Sequence, residues 1–156
     1  MSVKKRIAIG ALSLSATGLL ALAGFEGFRG EAYIPVPGDV PTIGFGSTSG
    51  VQLGDKITVE EGLERLYRDV GVAESAIAKC VNVPLTQGEY DAYTSFAFNV
   101  GGAAFCSSTL VKKLNAGDHS GACSELKRWV YAGGKVLPGL VERREREFQM
   151  CMGVEK

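Results

Sequence analysis

The chain has 156 residues, with 17 basic and 17 acidic side chains, 46% hydrophobic residues, four cysteines and one histidine. That length fits one domain, bilobed at most, behind a leader. The first 25 residues hold three basic and no acidic side chains, so 14 basic face 17 acidic in the remainder, a net of −3 with no long basic block, which argues against nucleic acid as a partner.

Residues 7–25 carry no charge and follow Lys4, Lys5 and Arg6. Basic residues before an apolar run place the N-terminus in the cytoplasm and send the rest outward. As one helix the run would reach roughly 28 Å, just short of a hydrocarbon core. It is weakly apolar for an anchor: eight strongly apolar residues stand among eleven Gly, Ala, Ser or Thr. A cleavable signal with Ala21-Leu22-Ala23 as its small-x-small site is one reading. Cleavage after Ala23 would leave Glu26 as the third residue of a frayed terminus, a poor place for a positioned group. The preferred reading is an uncleaved, marginal span over residues 1–25, ahead of a domain over 26–156.

Residues 31–34 and 41–47 read as extended stretches around a turn at 35–39 (PVPGD). Thr58 to Glu61 is a capping box that opens a long helix, with Leu63, Leu66, Val70, Ala73 and Ile77 on one face through about Cys80. Pro84 closes it. Thr86 to Glu89 is a second capping box, before a helix that Gly101 and Gly102 end. Short helices are expected over residues 109–115 and 120–131. A break follows at Gly133 and Gly134, then a final helix from Pro138 to Phe148. The expected class is α+β: a small α/β lobe with a hairpin, a connecting long helix, a larger helical lobe, and a cleft between lobes for an extended substrate.

All four cysteines, Cys80, Cys106, Cys123 and Cys151, follow the leader. An even count in an exported domain points to disulfides, of which three pairings are possible. Their spacing is not that of a zinc ribbon and the single His119 does not complete a site, so no metal is expected. His119, in an Ala-Gly-Asp-His-Ser-Gly loop, reads as solvated rather than as part of a serine triad. Phosphate-cradling loops are missing, and no cofactor is expected. Carboxylates remain. Glycosidic cleavage needs a protonated acid at the leaving oxygen and a second group that stabilises charge or orients water. Glu26 stands beside Phe25 and Phe28, an apolar setting of the kind that raises a carboxyl pKa.

Residues 26–33 (EGFRGEAY) followed by 41–48 (PTIGFGST) resemble the phage-type lysozymes, endolysins of glycoside hydrolase family twenty-four. So do residues 83–92 (VPLTQGEYDA), 95–101 (SFAFNVG), 108–115 (STLVKKLN), Arg128-Trp129 and 139–144 (GLVERR), in the right order over about residues 25–150. The leader is similar to the signal-anchor-release segment of a subset of these endolysins. The resemblance implies a lysozyme-like fold and hydrolysis of the β-1,4 bond between N-acetylmuramic acid and N-acetylglucosamine in peptidoglycan. It maps the general acid onto Glu26 and a water-placing threonine onto Thr42. The family's usual aspartate or cysteine nine positions after its glutamate falls on Pro35 here. Asp39 is the nearest substitute, read equally as a functional carboxylate or as a turn former; Glu31 is a weaker candidate.

Tyr33 and Phe45 are read as cleft-lining or as core, and Ser108 and Asn115 as substrate contacts or as capping and turn residues. Trp129 is expected in the helical core, and Arg143, Arg144 and Arg146 on a solvated helix face among Glu142, Glu145 and Glu147. Among the pairings, Cys123–Cys151 between two helices of the larger lobe is preferred, and with it Cys80–Cys106; spacing leaves the connectivity open. The expected protein is a monomer. It is tethered by residues 7–25 in the host inner membrane, inactive until the leader leaves the bilayer, and then active in the periplasm. A lytic transglycosylase, a non-catalytic peptidoglycan-binding module and a membrane-permeabilising protein are the rivals. Leucine at Gly10, Ser13, Ser15 and Gly18 is expected to trap the span, each replacement adding about 1–2 kcal/mol of lipid preference.

Overall fold

Each capping-box threonine starts a helix. Thr58 Oγ1 accepts from Glu61 N at 3.2 Å while Glu61 returns a bond to Thr58 N, and α2 (Val59–Cys80) follows. Thr86 and Glu89 do the same for α3 (Gln87–Val100). In a computed structural model that describes residues 4–154, the elements run α1 (Ala16–Glu26), β1 (Arg29–Tyr33), β2 (Thr42–Gly44), α2, α3, α4 (Gly102–Ser107), α5 (Thr109–Asn115), α6 (His119–Glu125), β3 (Tyr131–Ala132), β4 (Lys135–Val136) and α7 (Pro138–Met152). By contacts the chain forms two units: residues 19–71, and the segments before and after them. It crosses between them inside α1 and inside α2.

The helical unit buries Tyr93, Phe96, Phe105, Leu110, Leu114 and Leu126. Phe96 meets Phe105 and the half-buried Trp129 edge-on, with the Trp129 ring 5.2 Å away. Disulfides join Cys80 at the end of α2 to Cys106 in α4, and Cys123 in α6 to Cys151 in α7. The short helix α4 and the two-residue hairpin β3–β4 were not expected. Six residues are too few for a readable apolar period, and the Gly133–Gly134 break is the turn of that hairpin.

The alternating charges of α7 are a misleading signal, and the solvated-face expectation is wrong for its inner side. Arg144 and Glu147 are 1% and 0% exposed, and Arg143 is buried with them. Arg144 Nη1 donates to Glu147 Oε2 at 2.6 Å and its Nε to the Trp129 carbonyl; Asn99 Oδ1 accepts from Nη2. Ser95 Oγ donates to Glu147 Oε1 at 2.7 Å. Burial draws the Arg144 pKa down, against Glu147, which pulls it up.

The leader is not one helix. Ile7 exchanges two backbone hydrogen bonds with Leu85, Ile9–Ala11 form a 3-10 turn, and regular helix begins only at Ala16. Among the described residues no helix is long and apolar enough to cross a membrane.

Candidate active site

The site is built where α1 ends. Glu26 is the last residue of α1, and Gly27 (φ +70°) turns the chain into β1. β1 pairs antiparallel with β2, placing Arg29 opposite Gly44 and Tyr33 opposite Thr42. Ile43 and Ser47 then exchange two backbone hydrogen bonds of 2.9 Å, which fold residues 43–47 into a tight turn with Phe45 and Gly46 at its tip. A Cβ built on Gly46 would stand 3.7 Å from Glu26 Oε2, so the half-buried carboxylate faces this turn.

Packing beneath the turn fixes its position. The Phe45 ring is buried against Phe28, 5.2 Å between centroids, and both rings press on Gly62 of α2, where a Cβ would come within 2.9 Å of Phe28. Gly44 has φ +67° and lies too close to Ile57 and Gly62 for a side chain. Ser47 is buried and donates to Asp69 Oδ2 at 2.6 Å, tying the turn to α2. Neither Asp69 nor Gly46 was singled out from the sequence. Nothing in residues 63–72 distinguishes Asp69 from any polar helix position, and residues 41–47 read as one extended stretch, whereas the chain turns within 43–47, where Gly44 and Gly46 adopt positive φ.

Thr42 is 6% exposed, and its hydroxyl donates to the Val40 carbonyl at 3.1 Å. Asp39 is exposed; its Oδ1 accepts from Val40 N at 2.9 Å and its own N–H is bonded to Val36 O. Glu26, Asp39 and Thr42 thus belong to one stretch of helix end and hairpin within residues 19–71. Glu31 is exposed on β1, its backbone bridged to Lys56. Tyr33 is half-buried under the Arg29 guanidinium, 4.2 Å from the ring centroid.

The other candidates serve the helical unit. Ser108 is the N-cap of α5: it is 5% exposed, accepts from Val111 N and donates to Phe105 O. Asn115 donates to Cys80 O and accepts from Asn82 N, closing the α2–α3 loop. His119 is not the solvated loop residue expected of it. Its Nδ1 lies 2.5 Å from Oε2 of the buried Glu89 and 3.1 Å from Arg6 Nε. Among the described residues no cluster of three or more His, Cys, Asp or Glu could hold a metal ion.

The family model for phage lysozyme matches residues 23–147. An endolysin of Acyrthosiphon pisum secondary endosymbiont phage 1 is 41% identical, over 87% of this chain and 95% of its own length. A SAR-endolysin of Enterobacteria phage PA-2 is 34% identical over 97% and 96%. The muramidase domain of SpmX from Asticaccaulis excentricus superposes with TM-score 0.84 at 30% identity, covering 90% of this chain and 97% of that one. The active form of the P1 phage endolysin Lyz gives 0.79 at 26% identity, with 95% of both chains covered. The fold is the lysozyme-like α+β fold, and the chain belongs to the phage lysozyme family, glycosidase-type hydrolases of peptidoglycan.

Proposed function

We propose that this protein is a muramidase that cuts the β-1,4 bond between N-acetylmuramic acid and N-acetylglucosamine, and that its leader holds it inactive in the host inner membrane until release. The observation that carries the first half is the setting of Glu26. It is a half-buried carboxylate at a helix end, facing a tight turn at the base of the hairpin that bears Thr42. The likeness to the SpmX muramidase domain supports the same reading.

In this mechanism Glu26 protonates the glycosidic oxygen as the bond breaks. Thr42, with Asp39 in the adjoining turn, orients water on the opposite face of the sugar, giving single displacement with inversion. Glu26→Gln removes the transferable proton while keeping shape, so wall clearing should fall to background with the melting temperature unchanged. Turnover near wild type would dismiss Glu26 as the acid. A lytic transglycosylase would release anhydro ends one water lighter, which mass spectrometry of the products reads directly.

The second half rests on the uncharged run after Lys4, Lys5 and Arg6 and on the match to a SAR-endolysin over nearly the whole chain. Residues 1–25 act as the tether and 26–156 as the catalytic domain. With the leader in lipid, α1 cannot form as it does here, and Glu26 is held at the outer membrane surface. An ångström of misplacement can lower a rate about a hundredfold. Leaving the bilayer frees the segment to fold and the enzyme to act in the periplasm. Leucine at Gly10, where a side chain would meet nothing within 4 Å in the folded chain, strengthens the tether without disturbing that fold. The variant should stay longer in the membrane fraction and delay lysis; lysis on the wild-type schedule would count against tethering.

A further inference from the structure

Arg29 follows Glu26 by one turn of chain and is exposed on β1, with its guanidinium carbon 4.2 Å from the centre of the Tyr33 ring. Among the described residues that ring, rather than a carboxylate, is its partner. Arg29, Glu31 and Tyr33 form the outward side of β1, whereas Ala32 is buried in the hairpin core with Ile43. Residues directly opposite one another in an antiparallel pair project to one face. Tyr33 stands opposite Thr42 and Arg29 opposite Gly44, so the guanidinium and the Thr42 side chain belong to the same side of the hairpin.

The charge pattern makes this cation singular. From Glu26 to Asp55 the chain has no other Lys or Arg, while Glu26, Glu31, Asp39 and Asp55 are all acidic. Without Arg29 the hairpin would present only acidic side chains to an anionic strand and repel it. A guanidinium lying on an aromatic face also keeps its planar fork of N–H groups for a partner at its edge, and that fork matches a carboxylate. The ring holds the side chain in place beforehand, which lowers the entropy lost on binding.

We propose that Arg29, held by Tyr33, is an anion-binding residue for the substrate, and that its ligand is a carboxylate on the lactyl arm of N-acetylmuramic acid. The inference rests on the muramidase reading and adds to it a substrate feature remote from the bond that is cut. Both sugar rings of the strand are uncharged. Its carboxylates lie on the lactyl arm, as the lactyl acid itself where the strand is free of peptide, or in the stem peptide joined to it. Arg29 thereby favours muramic strands over neutral polymers of N-acetylglucosamine.

The experiment uses the full-length chain with Arg29→Gln, Arg29→Lys and Tyr33→Leu, and Arg68→Gln, an exposed cation on α2, as the control for overall charge. Steady-state hydrolysis is measured on each, and binding to uncut strands on each combined with Glu26→Gln. The substrates are intact wall, peptide-free strands, and strands whose carboxylates have been converted to neutral amides. Arg29→Gln should raise KM about tenfold, the scale of one charge-assisted hydrogen bond, and weaken binding by the same factor, with kcat little altered. Arg29→Lys keeps the charge without the fork and should recover part of the loss; Tyr33→Leu removes the platform and should lose part. On amidated strands the Arg29→Gln penalty should vanish. A penalty on peptide-free strands assigns the lactyl carboxylate, and one confined to intact wall assigns the stem peptide. A penalty undiminished on amidated strands, an equal loss in Arg68→Gln, or wild-type binding by Arg29→Gln on every substrate overturns the proposal. So does a fall of kcat and melting temperature together on all three, the mark of a residue that only braces the hairpin. Products with anhydro ends would remove the muramidase reading alone, because binding in the Glu26→Gln chain still reads the carboxylate.

Discussion

The helical unit and the hairpin unit differ in what resists unfolding. The helical unit holds both disulfides, a core around Tyr93, Phe96 and Phe105, and a buried network of Arg143, Arg144, Glu147 and Ser95, with the exposed Asn99 at its edge. Residues 19–71 have no cysteine, and the core of their hairpin is Ala32, Ile43 and Val51 with Ile57 beside them. Their turns are set by close packing on glycine and by single hydrogen bonds such as Ser47 to Asp69. The candidate chemistry sits in the second kind of structure. Elements that must adapt to substrate or rearrange come from the less stable end of a fold, so the contrast predicts that the helical unit outlasts the hairpin under denaturant.

The strongest way to break that contrast is Glu147→Gln, which leaves the Arg144 and Arg143 guanidiniums without their buried anion. Removing one partner of a buried pair costs about 3–5 kcal/mol. The melting temperature should drop by roughly 10 °C, and α3 and α7 amides should exchange at rates approaching those of the hairpin. A shift under two degrees would mean the network adds little to the unit.

Removing Cys123 and Cys151 together opens a cross-link with a sequence separation of 28. The loss should be about 3–4 kcal/mol, read as a lower denaturant midpoint. Ser47→Ala tests the other side of the comparison. It leaves Asp69 without that donor and should cost about 1–2 kcal/mol, with a measurable fall in kcat because the turn facing Glu26 loosens. An unchanged kcat would show that Phe45 packing alone holds the turn.

The smallest expected effect lies at the pair of Lys113 and Glu125, 2.7 Å apart. The hydrogen bond from Lys113 lowers the Glu125 pKa. A lowered carboxyl pKa adds stability above the unfolded value, about 4.3, and loses it as pH falls through the folded value. Lys113→Met should therefore melt slightly lower than wild type at neutral pH, and the two curves should converge in acid below pH ~4. A gap that persists there would assign the effect to packing instead of charge.

Much of the fold was legible because its signals are local. Thr58 and Thr86 announced α2 and α3 through capping boxes, glycines at 101 and 102 closed α3, and Pro138 opened α7. Glu26 and Thr42 were legible as candidate residues because their surrounding strings are distinctive. What stayed hidden depends on which face turns inward. Alternating Arg and Glu in α7 obey the same spacing whether solvated or buried, so Arg144 gave no warning of its 1% exposure. His119 needed Arg6 and Glu89, separated from it by 113 and 30 residues, to become a partner rather than a loop residue. Likewise Ile7 to Ser15 read as helix from apolarity alone, whereas their bonds to Leu85, Glu74 and Asp91 draw them into another path.

The reciprocal bonds between Ile7 and Leu85 also impose an order in time. Leu85 is translated 78 residues after Ile7, which at ordinary elongation speeds of about 5–20 residues per second is a wait of roughly 4–16 s. Through that interval a nascent chain has an emerged greasy end and no docking face for it. Until then Ile7 has no partner within its own fold, and only a chain extended past Leu85 can close that pair of bonds.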